Sequence, residues 1–307
     1  AFAEHPEMAQ TPIERPLYIL GFPRTGTTLL HNLLSRDPAA RWLRLWEGLH
    51  PAPPPESLED DPRIAQTEEF VAGFEKIAPR LASAHKLNAT GPEECLWLIE
   101  HTFADFIFEL RANIPSYSDW LAGHEADAVW YRYYRRQLQM LSWKCRGIHW
   151  VCKAPRHLPG LGGLMSVFPD ARIVQTHRGA ENVLPSICSL CEITRSAASD
   201  VVDKAAIGAP WHQRLLEIER RSSEVRAAAD PGQFLDVQYA DLIADPIGTV
   251  RRIYEHHGCD YSDEFENGMK QWLADNRQHK HGAHRYSLEE YGLKAETVRN
   301  DFAGKEK

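Results

Sequence analysis

An eight-residue loop, Gly21–Thr28 (GFPRTGTT), constrains this chain more than any other stretch. An apolar run of strand length, 16–20, precedes the loop, and leucines at helical spacing follow it until Asp37-Pro38. A strand, a turn bounded by glycines and a helix direct backbone N–H groups and the positive end of the helix dipole at one anion. The loop is therefore predicted to bind a phosphate or a similar group.

The loop differs from the P-loop of nucleotide hydrolases at one decisive position. Gly21 and Gly26 have the P-loop spacing, but Thr27 stands where those enzymes carry a phosphate-bridging lysine. They also hold Mg²⁺ partly through an aspartate at the end of a second strand, and the strand-like run 172–177 has none at its end. Arg24 and the threonine hydroxyls favour a terminal anion smaller than a triphosphate, bound without an obligatory metal.

Strand-like runs alternate with helical patterns along much of the chain. Such alternation predicts parallel strands joined by right-handed crossovers, with ligands at the carboxyl ends of the strands. The predicted fold is α/β, a P-loop-like parallel sheet of four to five strands flanked by helices. The strands are expected at 16–20, 148–153, 172–177 and 233–238.

Helical patterns without strands fill residues 38–146, which we expect to form a mainly helical, acceptor-side insertion within a single domain, 1–307. One helix is expected from Pro62 to about Arg80, and another over about 127–144. A helix between them is predicted to begin at Pro92, with two carboxylates in its first turn. Its apolar spacing would bury a set of side chains: Leu96, Ile99, Phe103, Phe106, Ile107 and Leu110.

The loop resembles the 5'-phosphosulfate loop of sulfotransferases that use 3'-phosphoadenosine-5'-phosphosulfate (PAPS), most closely the bacterial branch with arginine in the loop. Later landmarks match in order, so the resemblance runs from about residue 4 to residue 302. It implies transfer of the sulfuryl group from PAPS to a hydroxyl, or as the less favoured case an amine, of a small-molecule or lipid-like acceptor. The product would be adenosine 3',5'-bisphosphate. The loop residues assigned to the cofactor are Arg24, Thr25, Gly26, Thr27 and Thr28.

Two further landmarks fit the remaining parts of the cofactor. Arg178 follows a predicted strand and Ser186 comes eight residues later on the next helix, a spacing at which both side chains can reach one phosphate. The resemblance assigns this pair to the 3'-phosphate. It also assigns Tyr239 to the adenine, and a late basic-glycine loop to the 3'-phosphate: Lys280, His281 and Gly282.

Lys153 and His157, at the end of a predicted strand, resemble the family's catalytic segment. An ammonium there stabilises charge on the bridging oxygen as the S–O bond breaks, and Arg24 and the loop amides help to hold the departing phosphate. An imidazole can take the acceptor's proton. His157 is therefore the predicted base and Lys153 the electrostatic stabiliser, with Glu94, or its neighbour Glu93, as the alternative base.

Several residues allow a second interpretation. His279, His281 and His284 could form a metal site, but no carboxylate or cysteine is spaced to complete it, so no metal is expected. The tryptophan that stacks on adenine in common animal sulfotransferases is replaced here by Leu29, which leaves Trp42 or Trp46 as candidates. Cys188 and Cys191 are interpreted as structural thiols.

Composition limits the other classes of function. The 307 residues carry a net charge of −8, which argues against broad nucleic-acid binding. No stretch approaches 18 uninterrupted apolar residues and the N-terminus lacks a signal pattern, so a cytoplasmic enzyme without a transmembrane segment is expected. The alternatives that remain are an atypical P-loop small-molecule kinase and a non-catalytic nucleotide-binding protein.

Overall fold

The computed structural model describes residues 1–276 and 287–303. Its strands form one parallel sheet in the order β2-β3-β1-β4-β5. The predicted fold class and the four predicted strands are confirmed, and the short β2, inside the stretch predicted to be helical, was missed. The strands are β1 (Leu17–Leu20), β2 (Ala40–Trp42), β3 (His149–Lys153), β4 (Arg172–His177) and β5 (Phe234–Gln238).

Helices cover both faces of the sheet, so β1 is buried on both sides, as parallel strands usually are. In the described residues the helices are α1 (Thr27–Leu34), α2 (Leu45–Leu49), α3 (Pro62–Ile77), α4 (Pro79–Ala84), α5 (Leu96–Ile99), α6 (Ile107–Arg111), α7 (Pro115–His124), α8 (Ala128–Ser142), α9 (Leu161–Val167), α10 (Ala180–Ser196), α11 (Ala205–Ala227), α12 (Tyr239–Ala244), α13 (Pro246–His257), α14 (Asp263–Asp275) and α15 (Ala295–Phe302).

Alternate side chains of β1 enter different parts of the core. Leu17 and Ile19 pack with buried residues of α1, α13 and α14 on one face of the sheet. Tyr18 and Leu20 pack with residues of α8 and α9 on the other. Because both faces are anchored in this way, the carboxyl end of β1 holds the loop that follows it in a fixed place.

The helix predicted from Pro92 to Leu110 is wrong. Pro92 forms an isolated antiparallel bridge with Arg44, and the N–H of Glu93 donates to the carbonyl of Leu43 at 2.8 Å. These contacts keep the segment extended until Cys95, so both glutamates precede the helix. The helical part is broken into α5, a 3₁₀ turn (Glu100–Thr102) and α6.

Phe103, expected to be buried, sits at the break and is 71% exposed. Its φ of 56° is left-handed, a conformation that ends a helix and is unfavourable for a bulky residue. The helix predicted to end near Arg80 also divides, because α3 stops at Ile77 before Pro79, the first residue of α4. The helix predicted over about 127–144 is confirmed as α8.

Candidate active site

The loop after β1 is held from inside by hydroxyl groups. The Thr25 hydroxyl donates to the carbonyl of Phe22 at 2.7 Å, and its oxygen lies 2.6 Å from the Thr176 hydroxyl of β4. Thr176 in turn donates to the carbonyl of Leu20 at 3.1 Å. Thr25 is therefore occupied in shaping the loop, and Arg24 and Thr28 are the exposed side chains of the loop.

Glycine is required at both ends of this loop. Gly21 has φ 146°, and a Cβ there would lie 2.3 Å from the Thr176 hydroxyl oxygen and 2.9 Å from the Thr176 carbonyl oxygen. Gly26 has φ 93°, and a Cβ there would lie 2.8 Å from a methyl carbon of Leu242. Both positions need a backbone that L side chains rarely adopt and space that a side chain would fill.

The loop and the first turn of α1 form an anion cradle. Gly26 is the N-cap of α1 and is left-handed, as is Arg24 at φ 74°. The first N–H groups of a helix have no partner within the helix. Where left-handed and right-handed backbone conformations alternate, successive N–H groups point into one concave surface that can bind an anion. The exposed Arg24 adds a full positive charge beside them. The strand, turn and helix that the sequence predicts are present, and their N–H groups together with the Arg24 guanidinium could hold an anionic group.

A second basic group lies beside the cradle, where β4 and β5 end. Arg178 follows β4, and its Nη1 donates to the carbonyl of Arg24 at 3.0 Å. Its guanidinium lies 4.2 Å from the ring centre of Tyr239, the first residue of α12 after β5. The structure therefore brings Arg24, Arg178 and Tyr239 together although they are far apart in sequence.

Ser186 lies in the second turn of α10, the helix that begins at Ala180, two residues after Arg178, and is 6% exposed. At a rise of about 1.5 Å per residue, it is about 9 Å along the axis from the first residue of α10. A small cleft beside the loop is lined by residues that include Phe22, His177, Arg178 and Ala180, the first residue of α10.

Lys153 and Glu94 form an ion pair at the carboxyl end of β3. Lys153 Nζ lies 2.5 Å from Glu94 Oε1, and the side chains are 3% and 12% exposed. Lys153 pairs in register with Ile19 of the neighbouring strand β1, and Ile19 lies two residues before the loop begins. The N–H of Cys95 donates to the Lys153 carbonyl at 2.9 Å and so holds the Glu94 segment against the strand end. The pair is therefore rigidly placed beside the cradle.

A second carboxylate supports the first. Glu93 Oε1 accepts from the N–H of Glu94 at 2.8 Å, and both of its carboxylate oxygens lie within 3.3 Å of His85 Nε2. Burial alone would raise the pKa of Glu93, but the charge and hydrogen bonds of His85 outweigh it and lower that pKa to about 2. The charge of Glu93 raises the pKa of His85 in return, against the opposing effect of burial.

Burial and the charge of Lys153 lower the pKa of His31 on α1 to about 3, which keeps this imidazole neutral. A neutral side chain there leaves Glu94 as the ionic partner of Lys153 in the site.

His157 is in the core. It ends a 3₁₀ turn (Pro155–His157) and is 0% exposed. Its Nδ1 lies 3.3 Å from the Tyr131 hydroxyl, and its ring packs edge-on against Tyr18 at 4.9 Å between centroids. Lys153 and Glu94 are brought together, whereas neither nitrogen of His157 reaches solvent in this structure.

Neither candidate tryptophan lies where the adenine is expected. Trp42 is in β2, the edge strand separated from β4 by β3 and β1, and Arg44 lies over its ring at 4.1 Å. Trp46 is 0% exposed. Tyr239 is the aromatic residue that the structure places beside Arg178.

Some predicted residues fall outside the described part of the chain: Lys280, His281 and Gly282, together with His279 and His284 of the alternative metal site. Within residues 1–276 and 287–303, no group of three His, Cys, Asp or Glu side chains could hold a metal ion. Cys188 and Cys191 are buried free thiols on α10.

Comparison with known proteins agrees with the geometry. The model of the sulfotransferase family matches residues 16–263. The chain is 25% identical over 303 residues to the omega-hydroxy-beta-dihydromenaquinone-9 sulfotransferase Stf3 of Mycobacterium bovis and of Mycobacterium tuberculosis, covering 93% of this chain and 74% of the relative.

Two solved structures are similar over almost the whole chain. Sulfotransferase STF1 from Mycobacterium tuberculosis H37Rv is 37% identical with a TM-score of 0.87, covering 99% of this chain and 80% of that one. Sulfotransferase STF9 from Mycobacterium avium is 32% identical with a TM-score of 0.89, covering 98% and 78%. The family match spans most of the sequence, and this chain belongs to the sulfotransferase family.

Proposed function

We propose that this sulfotransferase takes its sulfuryl group from PAPS and passes it to the hydroxyl of a lipid-like acceptor. The observation that carries the proposal is the ion pair of Lys153 and Glu94 beside the cradle. This pair places a cation that can stabilise the leaving oxygen and a carboxylate that can accept a proton at the end of the same strand. The Stf3 relatives are named as sulfotransferases of a hydroxylated dihydromenaquinone, which supports a lipid-like alcohol as the acceptor here.

The two anion-binding features would hold the two ends of the cofactor. Arg24 and the N–H groups of Thr27 and Thr28 are proposed to bind the 5'-phosphosulfate. Arg178 and Ser186 are proposed to bind the 3'-phosphate, and the Tyr239 ring, next to the guanidinium, to contact the adenine. The late basic loop, with Lys280, His281 and Gly282, remains a proposed contact to the 3'-phosphate.

When bound, PAPS supplies an activated sulfuryl group whose leaving group is a phosphate. The acceptor oxygen forms a bond to sulfur while the bond to the bridging oxygen breaks. Glu94 takes the hydroxyl proton, and the ammonium of Lys153 stabilises the negative charge that develops on the bridging oxygen. Contact between Lys153 and Glu94 in the free protein keeps both groups at the reacting centre.

Of the two candidate bases, Glu94 is favoured over His157. Glu94 is partly exposed and adjacent to Lys153, whereas His157 is enclosed by aromatic rings. The accepting atom of a base must come within about 3 Å of the oxygen that carries the proton. His157 would need a rearrangement of the core to do so.

The test follows radiolabelled sulfate from PAPS to a panel of alcohols that includes long-chain and isoprenoid alcohols. We expect transfer by the wild type, and about 10²- to 10⁴-fold lower turnover for Glu94→Gln with nearly unchanged affinity for adenosine 3',5'-bisphosphate. His157→Asn is the comparison variant. If it abolishes transfer while remaining folded, and Glu94→Gln does not, the base is the histidine. If no alcohol accepts sulfate although the bisphosphate binds, the protein is a non-catalytic nucleotide binder.

A further inference from the structure

Five aromatic side chains form a continuous band on the surface of the helical region. We define Phe103, Phe108, Tyr117, Trp120 and Trp130 as the aromatic strip. Successive ring centroids are 5.8, 5.9, 5.7 and 6.4 Å apart, so each ring touches the next. Phe103 is 71% exposed and Trp120 39% exposed. Contiguous apolar surface of this kind usually marks an interaction site.

The strip is anchored in the fold and exposed mainly at Phe103, because Tyr117 and Trp130 are partly buried against the core of this region. The left-handed backbone of Phe103 is costly for an aromatic residue, and it is held there because the Tyr117 hydroxyl lies 2.8 Å from the Phe103 carbonyl oxygen. Next to it, Arg156 Nε donates to the Ala104 carbonyl at 2.8 Å in a buried hydrogen bond. Arg156 lies three residues after Lys153, so the strip is fixed to the strand end that carries the proposed active site.

The charges around the strip differ from those of the whole chain. The guanidinium of Arg111 lies 5.9 Å from the ring centre of Phe108, and Arg111 pairs with Glu100 at 3.1 Å. The charged pair that touches the strip is therefore neutral as a whole, in a chain of net charge −8. An acidic protein approaches a neutral or anionic surface most readily through such a region.

We propose that the aromatic strip docks this enzyme on the surface of a lipid bilayer. The proposal rests on the proposed function, because an acceptor with a long apolar chain resides in a bilayer, and no helix among the described residues is long and apolar enough to cross one. Tryptophan and tyrosine rings favour the headgroup level, and arginine side chains can reach lipid phosphates from there. Phe103, the most exposed ring, inserts deepest and brings the strand end of Lys153 to the acceptor.

Vesicle flotation tests this docking with the full chain and large unilamellar vesicles of phosphatidylcholine and phosphatidylglycerol. The variant is Phe103→Asn, because asparagine tolerates the left-handed backbone and removes only the ring. We expect it to bind vesicles about tenfold more weakly, as expected for the loss of one inserted phenyl group. Ile148→Asn is the matched control, since Ile148 is 77% exposed but precedes β3 at the amino ends of the strands. It should bind like the wild type.

Activity without vesicles separates this proposal from the proposed function. Transfer from PAPS to a short, water-soluble alcohol should be the same for Phe103→Asn and the wild type. The docking proposal is overturned if the wild type does not float with vesicles, or if both variants lose binding equally. It is also overturned if Phe103→Asn impairs transfer to the soluble alcohol, which would place the strip in the acceptor pocket, or if it dissociates a dimer seen by sedimentation. Absence of transfer to every alcohol would instead refute the proposed function while leaving the vesicle result standing.

Discussion

Replacing His85 with glutamine removes the cation that faces Glu93 beside the active site. Glu93 is 5% exposed, and its pKa of about 2, against the ordinary 4.5, reflects mainly the charge and hydrogen bonds of His85 working against burial. That difference corresponds to about 3 kcal/mol of stability. Because the His85 side chain is 38% exposed and water screens its charge, we expect His85→Gln to destabilise the protein by about 1–2 kcal/mol.

This loss should depend on pH in both directions. The lowered pKa of Glu93 provides stability that is present above its ordinary value of 4.5 and is lost as the pH falls towards 2. The raised pKa of His85 provides stability that is complete below its ordinary value of 6.5 and is lost as the pH rises through the higher folded value. The difference in the free energy of unfolding between the wild type and the variant is therefore expected to be largest between pH 4.5 and pH 6.5, and to become smaller at lower and at higher pH.

Urea unfolding of both proteins at a series of pH values measures this difference. His101→Gln is the control, because His101 is an exposed histidine whose Nδ1 lies 3.3 Å from Gln137 Oε1 and which pairs with no carboxylate within residues 1–276 and 287–303. It should lose less stability and show no such maximum. A loss in His85→Gln that is equal at about pH 5.5 and about pH 9 would show that the variant acts through packing and not through charge.

Three further substitutions test other parts of the site. Lys153→Met should lower turnover about 10²-fold or more in the sulfate-transfer assay, because the leaving oxygen loses its stabilising ammonium; wild-type turnover would exclude Lys153 from the reaction. Gly21→Ala should lower the free energy of unfolding in urea by about 2 kcal/mol or more, because the added Cβ would overlap Thr176. Gly73→Ala is its control and should not destabilise the protein, because no atom lies within 4 Å of the added Cβ. Thr176→Val should cost about 1 kcal/mol and weaken bisphosphate binding several-fold in calorimetry, because the Thr25 hydroxyl loses its partner; unchanged affinity would show that the loop keeps its shape without this contact.

The sequence predicts the framework of this fold well, since β1, β3 and most of β4 are short runs buried on both faces, and β5 has both buried and exposed residues. It does not reveal β2, because three residues such as Ala40–Trp42 give no periodicity. The false helix from Pro92 shows the other limit. Apolar residues there have helical spacing, but the bridge to Arg44 and the hydrogen bond to the Leu43 carbonyl hold its start extended. Such tertiary contacts override local preference.

Parts of the candidate site could likewise be predicted from the sequence, and other parts could not. The loop could be read from its glycines and threonines because phosphate binding is a local property of strand, turn and helix. Contacts between distant segments could not be predicted. Glu94 contacts Lys153, which is 59 residues away in sequence, and Arg178 donates to the carbonyl of Arg24, which is 154 residues away. The resemblance pairs the lysine with His157, but proximity in sequence says nothing about burial. His85, whose partner Glu93 is eight residues away, carries no sequence signal at all.

Isothermal titration calorimetry in metal-free buffer measures whether this protein binds adenosine 3',5'-bisphosphate through two separate anion sites. We expect the wild type to bind it, and Arg178→Ala to bind it at least about tenfold more weakly while keeping its affinity for adenosine 5'-phosphate, which lacks the 3'-phosphate. A protein that does not bind the bisphosphate but binds magnesium-ATP would instead be a nucleotide-binding protein of the kinase type, and the proposed site would be wrong.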